Sequence, residues 1–285
     1  MSAPLRRGLL ARRLLPRPLC HSRMLAAPAF ATRASALAPR TSVLASCACL
    51  LTICACLLAT SPANAASAAA LHASFAPDRP GASTSLTLAL RFSGGSEGVP
   101  APLRSVVLRL PAGLGIDLRG VSTCAPARLR RGGAAGCPQR ALLGRGHARM
   151  EVHAGSQTIP EQATLWAFLG PHSGTSRGSV EILGAGSTPL DERTLSTGAL
   201  HSDSAPFGEK LTIAVPPIPT VMLEPDASFD SLSLTVGALR TAGGQTYGAR
   251  ILVPRRCPSG GYPFAATIRF ADGSTADASS TVRCP

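Results

Sequence analysis

Beyond position 82, apolar residues recur with a period of two and nowhere keep a period of 3.6 for long. Leu86, Leu88, Leu90 and Phe92 alternate with Thr87, Ala89 and Arg91. Such a run puts its apolar side chains on one face of a strand and its small or polar ones on the other. Val106, Leu108 and Leu110 repeat the pattern up to Pro111, and Leu211, Ile213 and Val215 repeat it up to Pro216-Pro217. Leu232, Leu234 and Val236 alternate with Ser231, Ser233 and Thr235, and Met150 and Val152 mark a further strand. Ala163 to Leu169 is apolar on both faces, which predicts a central strand with Trp166 in the core. Ile268 and Phe270 run into Asp272-Gly273, a two-residue hairpin turn. The 25 prolines and 28 glycines punctuate these runs and exclude helices longer than about two turns. The pattern predicts an all-β fold, an antiparallel β-sandwich of about eight to ten strands. Leu183 to Ser204 has no clear period and reads as a long loop.

The first 65 residues are of another kind. Thr41 to Thr60 is uncharged and mostly apolar, and Ala63-Asn64-Ala65 behind it is a small-x-small cleavage signal. Residues 1–65 therefore read as an export leader, a signal or apolar helix, with the folded protein starting near Ala66. Left uncleaved, residues 41–60 are long enough to span a bilayer, which takes about 20 apolar residues, so a membrane anchor is the alternative. Arg6-Arg7 and Arg12-Arg13 resemble a twin-arginine signal but lie far upstream of the apolar run. Leu44-Ala45-Ser46-Cys47 has the composition of a lipoprotein box, yet it falls at the start of that run rather than its end. Residues 66–82 form an Ala/Pro-rich lead-in, and residues 83–285 form one domain.

Charge follows the same division. Eight of the 28 basic residues and none of the 15 acidic ones precede position 66, so residues 66–285 carry 20 against 15, a net +5. Much of the chain's +13 belongs to the leader and is no nucleic-acid surface. Lys210 is the only lysine.

Five of the nine cysteines sit in the leader as small apolar residues. Cys124, Cys137, Cys257 and Cys284 remain, an even number that in an exported chain predicts two disulfides. Three connectivities exist; the sequence-local one, Cys124–Cys137 with Cys257–Cys284, is preferred. A four-cysteine zinc site needs close C-x₂₋₄-C pairs, which are absent.

Candidate chemistry is sparse. G-x-S-x-G occurs around Ser96 and Ser176, but a nucleophile elbow needs a strand before it and a helix after it, and neither context fits. His147, Arg149, Glu151 and His153 share one face of a strand, where Arg149 opposes a cation and a solvated face is expected. Asp272, Ser274 and Asp277 offer oxygens to calcium, although Asp272-Gly273 is already explained as a turn. Arg128, Arg130 and Arg131 cluster in the loop between Cys124 and Cys137, with Arg140 and Arg145 beyond, and guanidinium groups so held can grip phosphate or carboxylate polymers. The patch is short and has no interleaved aromatics, which argues against nucleic acid.

Several phrases are distinctive: Leu110-Pro111-Ala112-Gly113-Leu114, Cys137-Pro138, Val215-Pro216-Pro217-Ile218-Pro219, Arg256-Cys257-Pro258-Ser259-Gly260-Gly261-Tyr262-Pro263-Phe264, Phe270-Ala271-Asp272-Gly273-Ser274 and Cys284-Pro285. Over most of residues 85–285 the chain resembles a family of uncharacterised exported, Cys-Pro-containing proteins of high-GC Gram-positive bacteria. The resemblance implies export and paired cysteines, and it brings no catalytic residue, metal, cofactor or ligand. The expectation is a non-catalytic protein of the cell envelope or the exterior with a structural or interaction role. The alternatives are a module binding anionic or sugar polymers of the wall through Arg128, Arg130 and Arg131, and, less favoured, an unrecognised hydrolase.

Overall fold

A computed structural model describes residues 65–95, 98–154, 157–172, 174–187, 192–220, 226–237, 240–242 and 245–285. The apolar leader run at 41–60 and Ser96 lie outside these residues. Among the described residues no helix is long and apolar enough to cross a membrane.

Strands dominate, in chain order β1 (Ala65–Ala76), β2 (Ser83–Gly95), β3 (Leu103–Pro111), β4 (Gly115–Asp117), β5 (Leu142–Ala154), β6 (Gln157–Gly170), β7 (Gly178–Gly186) and β8 (Arg193–Ser202). They continue with β9 (Phe207–Ala214), β10 (Ser228–Val236), β11 (Arg240–Ala242), β12 (Gln245–Tyr247), β13 (Arg250–Leu252), β14 (Tyr262–Phe270) and β15 (Thr275–Val282). One helix, α1 (Pro126–Gly132), and two 3₁₀ turns lie between β4 and β5.

The all-β, antiparallel expectation holds, but the sandwich of eight to ten strands does not describe the architecture. Among the described residues, 13 strands form one sheet in the order β15-β14-β3-β9-β8-β7-β6-β5-β10-β2-β13-β4, with β1 added on β2. β11 and β12 form a separate hairpin. The segment read as a lead-in contains β1, paired with β2 along its length, and the segment read as a long loop contains β8, paired on both sides.

The sheet rolls up. β1, the branch on β2, comes beside the terminal strand β15, joined by the Ala73 N–H donating to Ser280 Oγ at 3.2 Å instead of by a strand ladder. Rolling follows from the pleat: each strand sends alternate residues to one side, and in register those residues form continuous inner rows. One row runs Leu88, Leu234, Gly146, Leu165, Gly184 and Thr194 across β2, β10, β5, β6, β7 and β8. The main core unites residues far apart in strand order, among them Leu71 and Phe75 of β1, Leu86 and Leu90 of β2, Val106 and Leu108 of β3, and Phe264 and Ile268 of β14. Phe75 stacks edge-on to Tyr262 with ring centroids 5.8 Å apart. The hairpin at Asp272-Gly273 is as expected: Gly273 takes a φ of 84°, and β14 pairs with β15.

Candidate anion-binding face

The chain between β4 and β5 folds as a cap on the outer side of the sheet. Cys124 N–H donates to Leu169 O at 2.7 Å, anchoring the entry to the end of β6. Pro126 opens α1, a position where its missing N–H costs nothing. Leu129 points down and is fully buried with Phe168, Leu142, Leu183 and both loop cysteines. Cys124 and Cys137 are bonded, with a Cα–Cα distance of 5.6 Å, and Cys257 and Cys284 are bonded at 6.2 Å, the sequence-local pairing.

With Leu129 inward, helical geometry turns its neighbours out. Arg128, Arg130 and Arg131 are all exposed. Arg193 of β8 reaches the same cap, its guanidinium so close to Gly133 that an added Cβ would lie 3.4 Å from Nη1. Beneath the cap is a cavity of about 170 Å³ lined by Ala134, Ala135, Gln139, Arg145, Trp166 and Phe168. Arg145 stands opposite Trp166 in the β5–β6 register. Arg149 lies two residues beyond His147 on the same side of β5, and across Ser231 of β10 it lines up with Arg91 of β2. The ion pairs between described residues engage Arg104, Arg109, Arg119 and Arg177, and none of the exposed arginines of this face.

Glu181 of β7, a buried carboxylate on the outer side of the sheet, feels the charge of Arg130. Thr197 Oγ1 donates to Glu181 Oε2 at 2.8 Å. Burial pushes the Glu181 carboxyl up from its ordinary range, against the pull of the Thr197 hydrogen bond and the Arg130 charge. The face is therefore a set of exposed guanidinium groups that make no ion pair with another described residue, with one half-buried aromatic ring beside them. Phosphates, sulfates and carboxylates, with oxygens to accept several N–H donors, are the ligands such groups suit.

Sequence reasoning placed Trp166 in the core. Trp166 is instead half-buried on the outer side, packed on the cluster under the cap, while its neighbours Leu165 and Ala167 face inward. The strand is apolar on both faces, as expected, because the cap supplies its second apolar neighbour. In the sequence Arg145 lies just beyond the loop cluster and reads with it, whereas Arg149 and Arg193 do not; the alternation of Arg145, His147 and Arg149 along β5 was the available signal for Arg149.

Other candidates fall out separately. His147, Arg149, Glu151 and His153 share the outer face of β5, with Met150 and Val152 buried on the inner one. No group of three or more metal-ligating side chains occurs among the described residues. Ser176 lies in the connection before β7, with a strand and not a helix after it. Asp272 Oδ1 accepts from the N–H and hydroxyl of Ser274 at 2.9 and 2.6 Å, which holds its carboxyl below the usual range. Asp277 accepts from Thr267 Oγ1 at 2.7 Å on the neighbouring strand. Comparison with family models, with curated proteins and with solved structures finds no match.

Proposed function

We propose that the protein is a non-catalytic, extracytoplasmic module of the cell envelope or the exterior, with a structural or interaction role. The observation that carries this reading is the pair of sequence-local disulfides, one fixing the cap and one tying β15 to the segment before β14. Bonds of this kind persist in oxidising compartments. The leader pattern at 41–65 and the resemblance to exported Cys-Pro proteins agree with it. The test is the intact mass of the native protein from its host, in medium and membrane fractions, with and without reduction. A species starting near Ala66 that gains four hydrogens on reduction supports secretion, and a full-length membrane species supports anchoring by residues 41–60. Four free thiols in both fractions would refute the reading.

A second reading is favoured by the basic face: binding of an anionic wall polymer through Arg128, Arg130 and Arg131, extended by Arg145 and Arg193. Contacts of guanidinium groups with a polyanion weaken with added salt. Retention on immobilised polyphosphate is expected to fall as salt rises and to be lost on changing Arg128, Arg130 and Arg131 to Ala. Retention that survives the triple change would rule out the cap as the site.

A further inference from the structure

The rolled sheet is too wide for its own side chains to fill. In small barrels about eight strands leave an interior that side chains just occupy, and more strands leave space. Here the inner side of β6 to β8 is poor in bulk: Gly184, Thr194 and Ser196 line one void together with Leu88, Leu108 and Leu234, and Ala167 lines the next. Two voids result, of about 130 and 100 Å³. They share Leu88, Leu108, Ile182, Ile213 and Leu234 in their walls and so adjoin. Native interiors hold few voids larger than a water molecule, and an aliphatic cavity of roughly 150 Å³ stays dry and takes up benzene.

The space has a direction. At one end it is lined by Leu110, Leu114, Leu143 and Ile251. The other end continues into a small third space of about 20 Å³ that shares Leu165, Gly184, Thr194, Ile218 and Phe229 with the second void and adds Glu161 and Glu192. Glu161 is 1% exposed, points inward beside Met150, and accepts the Ser187 N–H at 3.0 Å; Glu192 is exposed.

We propose that this interior is a binding site for one unbranched aliphatic chain, whose polar end rests at the Glu161–Glu192 mouth. Voids set end to end suit a chain better than a disc. The larger void presents only apolar surface and offers a buried head group no partner, so the head stays toward the Thr194 end and the mouth. Two carboxylates there repel an anionic head, and the Thr194 hydroxyl and the exposed Glu192 carboxylate suit an alcohol or an ammonium group. This proposal goes beyond the envelope-module reading and does not rest on it: its failure leaves the disulfides and the basic face untouched.

The test uses thermal unfolding of the purified protein with octanol, octylamine and octanoate below their aggregation limits. A ligand that binds only the native state raises Tm saturably. Octanol and octylamine are expected to do so, with octanoate about tenfold weaker or worse, a difference that follows from like charge at the mouth. Ser196→Leu, which fills the space from β8, is expected to abolish the shift while its own unliganded Tm stays level or rises. If that variant fails to fold, Leu108→Ala serves in its place: enlarging the void should move the preference from octanol to decanol. Absence of any saturable shift, a Ser196→Leu protein that binds as the parent does, or a Leu108→Ala protein with unchanged chain preference overturns the site. Octanoate binding as well as octylamine overturns the placement of the head group.

Discussion

The two disulfides oppose two effects that can be ranked against each other. Closing a loop removes entropy from the unfolded chain in proportion to the logarithm of its length. Sequence separations of 13 for Cys124–Cys137 and 27 for Cys257–Cys284 then give about 3 and about 3.6 kcal/mol. By that term alone the C-terminal bond matters more. Burial points the other way. Cys124 and Cys137 are 0% and 7% exposed and pack with Leu129 and Phe168, whereas Cys257 is exposed and Cys284 only partly covered. Deleting each of two buried sulfurs costs about what a buried methylene does, ~0.8 kcal/mol, with a cavity term on top. Changing both Cys124 and Cys137 to Ala should therefore cost about 4.5 kcal/mol, and changing both Cys257 and Cys284 to Ala about 3.5 kcal/mol. Urea unfolding of the two double variants, compared at equal m, reads the order directly. If the C-terminal pair costs more, chain entropy alone governs both bonds, and the cap contributes no packing to the sheet.

Two further outcomes test single groups. The Tyr262 hydroxyl is wholly buried and donates to Pro254 O at 3.1 Å, so Tyr262→Phe should cost about 1–2 kcal/mol in chemical unfolding by leaving a carbonyl without its donor. The Glu181 carboxyl has its folded pKa raised above the ordinary carboxylate value, chiefly by burial. Between the unfolded and folded values the native state binds the extra proton, so this group's contribution to stability falls as pH rises through that window and is recovered on acidification. Glu181→Gln should flatten this part of the pH–stability curve and raise Tm at pH 7; a lower Tm at pH 7 would show that ionised Glu181 is stabilised by Arg130 more than it is penalised by burial.

Strands whose inner residues are bulky were legible because alternation carries contrast. β2, β3, β9, β10 and β14 each show it. β8 escaped because its inward residues begin with Thr194, Ser196 and Gly198, which read as loop composition. β1 escaped because alanines occupy both parities before Leu71, Ala73 and Phe75. A single rolled sheet in place of a sandwich was out of reach for a different reason. It depends on which edges meet: β3 lies between β14 and β9, and β10 lies between β5 and β2, pairings that bring together residues far apart in the chain. The cap shows the same division. Its cysteines and loop arginines, with Arg145 just beyond, are local and could be read, but Arg193 joins it only through the fold.

The same strands supply both candidate surfaces, and this makes their independence testable. On β5, Gly146, Ala148 and Met150 line the interior, while Arg145, His147 and Arg149 face outward. The aliphatic space and the basic face are thus separated by a single layer of backbone, with no side chain common to both. Substitutions without shared partners add, so Ser196→Leu should leave polyphosphate retention unchanged, and the triple arginine change should leave the octanol shift unchanged. Coupling would need a structural element with two arrangements that both ligands bias. The cap is the element in position to do so, because Leu129 and Phe168 pack on the outer side of β6 while Leu165 and Ala167 face the interior from the same strand. Octanol that alters salt-dependent retention in the parent protein but not after removal of the Cys124–Cys137 bond would locate that coupling in the cap; unchanged retention in both would leave two separate sites on one sheet.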